Sequence, residues 1–179
     1  MFKIDKSVML LIDVQERLSQ VMYEKEKLFE SLEIIIKSMK ILDIPIIWME
    51  QIPEKLGHTI PRLSQHLNRN EPIEKFSFSC CNEPEFVSKF KEIGRTQVIL
   101  TGIETHICVF QTAFNLIEQG NEVQIVNECV SSRTKENKDI GIQRILQSKG
   151  KLASLEMVLF ELLQNTKVDK FKKIIKLIK

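Results

Sequence analysis

Hydrophobic positions fall along the chain in two alternating patterns. Val8-Met9-Leu10-Leu11-Ile12 is a continuous apolar run that stops at Asp13, and Ile44-Pro45-Ile46-Ile47-Trp48-Met49 is a second. Val98-Ile99-Leu100 ends at Thr101-Gly102, Val123-Gln124-Ile125-Val126 follows, and Leu152-Ala153 is a short fifth. Runs of this kind predict strands covered on both faces, as in a parallel sheet. Between them apolar residues recur at three- and four-residue steps. Leu28, Leu32, Ile35, Ile36 and Met39 form one set, Phe86, Phe90 and Ile93 another, and Phe110, Ala113, Phe114 and Ile117 a third. Each set predicts a helix with one buried face. Asn82 and Glu85 have the spacing of a cap opening the second helix, and Gly120 sits where the third would end.

Strands alternating with helices predict βαβ units and an α/β fold: three layers, α/β/α, around a doubly wound, mostly parallel sheet. Residues 1–179 read as a single domain, since the length suits one compact unit and no repeat or low-complexity linker interrupts it. Gln51 to Phe78 is the longest stretch without periodicity, and it holds Pro53, Gly57, Pro61 and Pro72. A segment of that kind is either a lid or binding loop, or a surface excursion. From Thr166 to Lys179 the pattern is a basic amphipathic helix, with Thr166 and Asp169 as capping partners. Its apolar positions Val168, Phe171, Ile174, Ile175 and Ile178 are expected to pack on the domain or on a subunit neighbour, leaving the lysines solvated.

Composition narrows the classes. Hydrophobic residues are 43% and charged residues 28%, with a net charge of +2. The charge gives no support to nucleic-acid binding, and no apolar stretch reaches a membrane span. The first residues do not read as a signal peptide. The four cysteines, Cys80, Cys81, Cys108 and Cys129, include no CxxC pair. Free thiols in a reducing cytoplasm are therefore expected.

Ligands of open α/β sheets bind beyond the carboxyl ends of the strands, where the strand order reverses. Asp13 closes the first strand. The Val98–Thr101 strand, its expected neighbour, runs into Gly102-Ile103-Glu104-Thr105-His106-Ile107-Cys108 and then a helix. Asp13 and Cys108 are thus expected to face one crevice, with Cys108 in a first helical turn that favours a thiolate. The plain alternative is a small buried cysteine.

Leu10-Leu11-Ile12-Asp13-Val14-Gln15, Glu74-Lys75-Phe76-Ser77 and Thr101 through Val109 resemble the three signature segments of the isochorismatase-like cysteine hydrolases. They stand in the family's order. Trp48 through Gly57 is most similar to the isochorismatase-domain-containing proteins. The resemblance implies the Rossmann-like isochorismatase fold and a catalytic triad of Asp13, Lys75 and Cys108. It also implies a cis peptide between Ile103 and Glu104, and an oxyanion hole made by the N–H groups of Glu104 and Cys108. Gln15, Glu50, Gln51 and Thr105 are candidate substrate contacts, and Glu50 is alternatively a salt-bridged structural acid. The implied reaction is hydrolysis of a small amide-type (C–N) substrate through a Cys108 thioester. The implied assembly is a homo-oligomer, a dimer or tetramer.

Departures from the family pattern matter here. Where nicotinamidases carry an Asp-x-His metal motif, this chain reads Glu50-Gln51-Ile52-Pro53. No metal and no cofactor are therefore expected, and nicotinamide is disfavoured as substrate. The isochorismate-cleaving members lack a cysteine nucleophile, whereas this chain has Cys108. His106 is read as a turn residue, Trp48 as core, Cys80, Cys81 and Cys129 as packing thiols, and Ser131-Ser132-Arg133 as a loop that caps a helix. The rival readings are a catalytically silent pocket serving binding or assembly, a nucleotide binder and a thiol redox protein. The nucleotide binder lacks a glycine-rich loop after the first strand, and the redox protein lacks a resolving cysteine close to Cys108 in sequence.

Overall fold

A computed structural model describes residues 1–67 and 71–179. Six strands, all parallel, form one sheet in the order β3-β2-β1-β4-β5-β6. They are β1 (Ser7–Ile12), β2 (Ile46–Gln51), β3 (Ile73–Lys75), β4 (Gln97–Ile103), β5 (Glu122–Ser131) and β6 (Lys151–Ala153). The helices are α1 (Glu16–Ser19), α2 (Lys25–Leu42), α3 (Pro53–Leu56), α4 (Pro61–Ser64), α5 (Pro84–Ile93), α6 (Phe110–Glu118), α7 (Lys135–Gln147), α8 (Leu155–Leu163) and α9 (Phe171–Ile178).

The continuous apolar runs are explained by burial on both faces. In β1 successive side chains alternate between two cores. Met9 and Leu11 pack with α2, α8 and α9, while Val8, Leu10 and Ile12 pack with α5, α6 and α7. The result is a three-layer α/β/α sandwich. After β3 the chain crosses back to the far side of β1, so the strand order reverses between β1 and β4, which pair from Ser7↔Gln97 to Ile12↔Gly102. Gly102 is required there. Its φ is +111°, and a Cβ would stand 2.1 Å from the Ile12 carbonyl oxygen.

The structure departs from the sequence pattern at several points. β3 lies inside the stretch from Gln51 to Phe78 that showed no periodicity; residues 68–70 of that stretch lie outside the described residues. Three residues on a sheet edge are too few to establish a period. The α5 cap is not Asn82 with Glu85: Glu83 is the cap, without a side-chain bond, and Pro84 opens the helix. Proline suits that position because its missing N–H is one that a first turn leaves unbonded. In α6 Ala113 is buried and Phe110 and Ile117 are partly buried against the core, as their spacing predicts, but Phe114 is exposed, and Thr112 and Leu116 complete the buried face. Thr134, not Ser131 to Arg133, caps α7 by accepting from the Asn137 N–H. The tail is helical only over Phe171–Ile178, without a cap from Thr166 or Asp169. Its Ile174 is fully buried against the α2 side of the sheet.

Candidate active site

The reversal between β1 and β4 brings three distant residues together at the carboxyl edge. Asp13 follows β1 directly and takes a left-handed backbone (φ 55°), which bends the chain away from the sheet. Such a conformation is costly for a non-glycine residue and is held by its surroundings. Here the Asp13 N–H donates to the Met49 carbonyl, and the Gln15 N–H returns to the Asp13 carbonyl. Lys75 ends β3, in register with Gln51 on β2. Its side chain reaches across β2 toward β1. The Ile103–Glu104 peptide is cis. A π-type turn, Thr105–Val109, follows it and carries Cys108 into α6.

The Lys75 ammonium is the hub. Nζ lies 2.8 Å from Asp13 Oδ2 and 3.5 Å from Cys108 Sγ. It also donates to Gln51 Oε1 at 2.5 Å and faces the carbonyls of Ser77 and Phe78 at 3.2 and 3.4 Å. Asp13 and Lys75 are both 0% exposed and Cys108 is 6% exposed, so these groups interact with little solvent screening. Neither Asp13 oxygen has a donor in good hydrogen-bond geometry among the described residues; its contact with Lys75 is an ion pair off the ideal line. One carboxylate face is therefore open to a proton.

Electrostatics set the resting charges. Burial raises Asp13 to about 6 against the opposing pull of Lys75. Burial alone would lower Lys75, but the charges of Asp13 and Cys108 outweigh it and the net shift is upward. Burial, then the Asp13 charge, pushes Cys108 up to about 12, with Lys75 opposing. This corrects the expectation of a thiolate stabilised by a helix start. Desolvation wins, and the Ile107 and Val109 N–H groups both donate to the Glu104 carbonyl. The resting cluster near neutral pH is a thiol, a carboxylate and an ammonium.

Gln15, Glu50 and Thr105, the other candidate substrate contacts, are each held by hydrogen bonds. Gln15 Nε2 donates to the carbonyls of Gln51 and Gly57, while its Oε1 accepts from the Gln51 N–H. Glu50, 1% exposed, accepts from the Thr59 N–H and lies 3.0 Å from His58 Nδ1. It is the salt-bridged acid that pins the loop over β2. The Thr105 hydroxyl donates to the Ser131 carbonyl. Glu104 lies against Arg133, its Oε2 accepting from the Arg133 N–H and its Oε1 3.4 Å from Nε. His106 Nδ1 meets Ser132 Oγ, and Trp48 Nε1 donates to Thr59 Oγ1 within the core. Cys80 and Cys129 are buried, and burial pushes both thiols up. Cys81 is half-buried and raised to about 11 by burial.

Sequence reasoning missed Glu83, whose Oε1 accepts from the N–H groups of Phe76 and Ser77 and fixes the turn after Lys75. No local sequence pattern marks it. Among the described residues no group of three His, Cys, Asp or Glu side chains could hold a metal ion, and no helix is long and apolar enough to cross a membrane. A cavity of about 810 Å³ opens elsewhere, lined by Lys40, Pro45, His66 and Arg95 near the amino end of β2. The candidate site is instead the cluster of Asp13, Lys75 and Cys108 at the carboxyl edge of the sheet.

The fold and this cluster define a three-layer α/β protein with a buried acid, amine and thiol at its strand switch. The isochorismatase domain model matches residues 7–157, and the chain belongs to the isochorismatase family. It is 38% identical over 173 residues to isochorismatase domain-containing protein 2 of Danio rerio, covering 96% of this chain and 86% of the relative. Its structure is similar to that of the MAR1 ribonuclease from Caenorhabditis elegans (TM-score 0.93, 33% identity, 99% of this chain and 91% of that one). It is also similar to the YcaC gene product of Escherichia coli, described as an octameric hydrolase of unknown specificity (TM-score 0.93, 20% identity, 98% and 89%). At that last identity the likeness is one of fold.

Proposed function

We propose that the protein is a cysteine hydrolase acting on a small amide-type substrate, with Asp13, Lys75 and Cys108 as its triad. The observation that carries this is the single ammonium placed 2.8 Å from a buried carboxylate and 3.5 Å from a buried thiol. Family membership supports hydrolysis.

The chemistry runs through Asp13. A base held near 6 is ionised at neutral pH yet still able to take a proton. The Cys108 proton passes to Asp13 as sulfur attacks the amide carbon, and Lys75 balances the negative charge that moves between them. The N–H groups of Glu104 and Cys108 receive the oxyanion; one such donor is typically worth about 3–4 kcal/mol. Asp13 then protonates the departing amine. The resulting thioester is attacked by water, which Asp13 deprotonates, and the acid and free thiol are released. A homo-oligomer fits the 71% exposed Phe76 and 56% exposed Phe78 beside the cluster, and the octameric neighbour shows that this fold can assemble.

Phosphodiester cleavage, which the name of the nematode relative raises, is disfavoured. The triad groups are 0–6% exposed, too enclosed for a polynucleotide backbone. The test is ammonia release from a panel of primary amides, beside cleavage of a single-stranded RNA, by wild type and Cys108→Ala. Loss of amide turnover in a folded Cys108→Ala protein is expected. Undiminished turnover in that variant, or RNA cleavage alone, would overturn the proposal.

A further inference from the structure

We propose that Gln51 is a positioning residue for the Lys75 ammonium rather than a substrate contact, an assignment that rests on the cysteine-hydrolase reading. Both ends of its amide are engaged. Oε1 accepts from Lys75 Nζ at 2.5 Å and Nε2 donates to the Phe76 carbonyl at 2.9 Å. The amide orientation is fixed chemically, since only the oxygen can accept from an ammonium. The backbone of Gln51 is held as well, its N–H and carbonyl both bonded to the Gln15 side chain. Two of the four hydrogen-bonding directions of the amide are thereby spent on Lys75 and on the turn after it, and the side chain is buried.

The need for such a residue follows from counting donors. An ammonium has three N–H bonds. Lys75 faces five acceptors: Asp13, Gln51, the Ser77 and Phe78 carbonyls and the Cys108 sulfur. Without a strong neutral acceptor on the β2 side, the ammonium would settle among the carbonyls of the turn. Glu83 holds that turn from outside through the Phe76 and Ser77 N–H groups, so the turn does not yield. Gln51 draws the ammonium back between carboxylate and thiol, and its contact with the Phe76 carbonyl ties strand and turn to one geometry.

Gln51→Met removes both contacts at similar size. Gln51→Glu keeps an acceptor for Lys75 but adds a carboxylate beside Asp13. Each is compared with wild type in the alkylation of Cys108 by iodoacetamide across pH, read on the Cys108 peptide by mass spectrometry, with thermal melts to confirm folding. Gln51→Met is expected to lower the plateau rate about tenfold, the order of effect that misplacing a reacting group produces. Gln51→Glu is expected to move the acid limb upward by about one pH unit, because a like charge disfavours ionisation of Asp13. Wild-type rates and limbs in both folded variants would overturn the assignment, as would a lowered melting temperature with unchanged alkylation of the folded protein. Either failure leaves the Cys108→Ala test of the hydrolase reading intact.

Discussion

At Cys108 two influences oppose each other, and burial prevails. A thiol pushed up to about 12 is a poor nucleophile until its proton has somewhere to go, and Asp13, raised to about 6, supplies that acceptor. The pH dependence follows with a definite sign. Asp13 is ionised above about 6, so alkylation of Cys108 should be level in that range and fall as acid protonates the carboxylate. In Asp13→Asn the limb near 6 should vanish, and amide turnover at pH 7 should drop at least about a hundredfold because no base is left to take the Cys108 and water protons. Rate measurements from pH 4 to 9 check this; an unchanged limb in Asp13→Asn would assign it to another group. Asp13, Lys75 and Cys108 were legible because their flanking segments resemble signature segments. Gln51 was legible as a candidate, but its bond to Lys75 was not. A glutamine that binds substrate and one that holds a lysine look alike until the register Gln51↔Lys75 across β2 and β3 is known.

Elements deliver these residues, and α7 shows how tightly. Gly141 sits within this helix, where alanine would normally gain up to about 1 kcal/mol. A Cβ there would stand 2.8 Å from the His106 nitrogen and the Thr105 carbonyl carbon, both backbone atoms of the turn that carries Cys108. Packing should override propensity. Gly141→Ala is expected to lower the melting temperature and slow Cys108 alkylation at least about tenfold. A melting temperature above wild type with unchanged alkylation would show that helix and turn are not in firm contact. The four long apolar runs announced β1, β2, β4 and β5 because strands buried on both faces need no polar alternation. β3 gave no such signal. It is three residues long, with Glu74 exposed between buried Ile73 and Lys75, and a lysine does not read as a buried position.

Across the whole molecule, the two cores are closed in different ways. The α5, α6 and α7 side is sealed by helices between strands, whereas the other side relies in part on the tail helix α9. Ile174 is fully buried there, and Val168, Phe171 and Ile178 are partly buried around it. The ion pair of Lys170 with Asp43 is largely exposed and adds little. Ile174→Ala should therefore cost about 2–4 kcal/mol, the usual range for emptying a buried isoleucine site, whereas Lys170→Ala should cost under about 1 kcal/mol. Urea melts of the two variants separate these outcomes, and equal small losses would mean that α9 is only loosely seated. The amphipathic pattern made this packing legible, but the helix start at Phe171 was not, because no side chain caps it.

The central claim is that sulfur forms a covalent acyl bond during turnover. Acid-quenched reaction with a turned-over amide, followed by mass spectrometry of the peptide containing Cys108, tests it directly. The expected result is a mass increase equal to the acyl group on Cys108, present during turnover and gone when substrate is exhausted. Steady turnover with an unmodified Cys108 peptide, maintained in Cys108→Ala, would contradict the account.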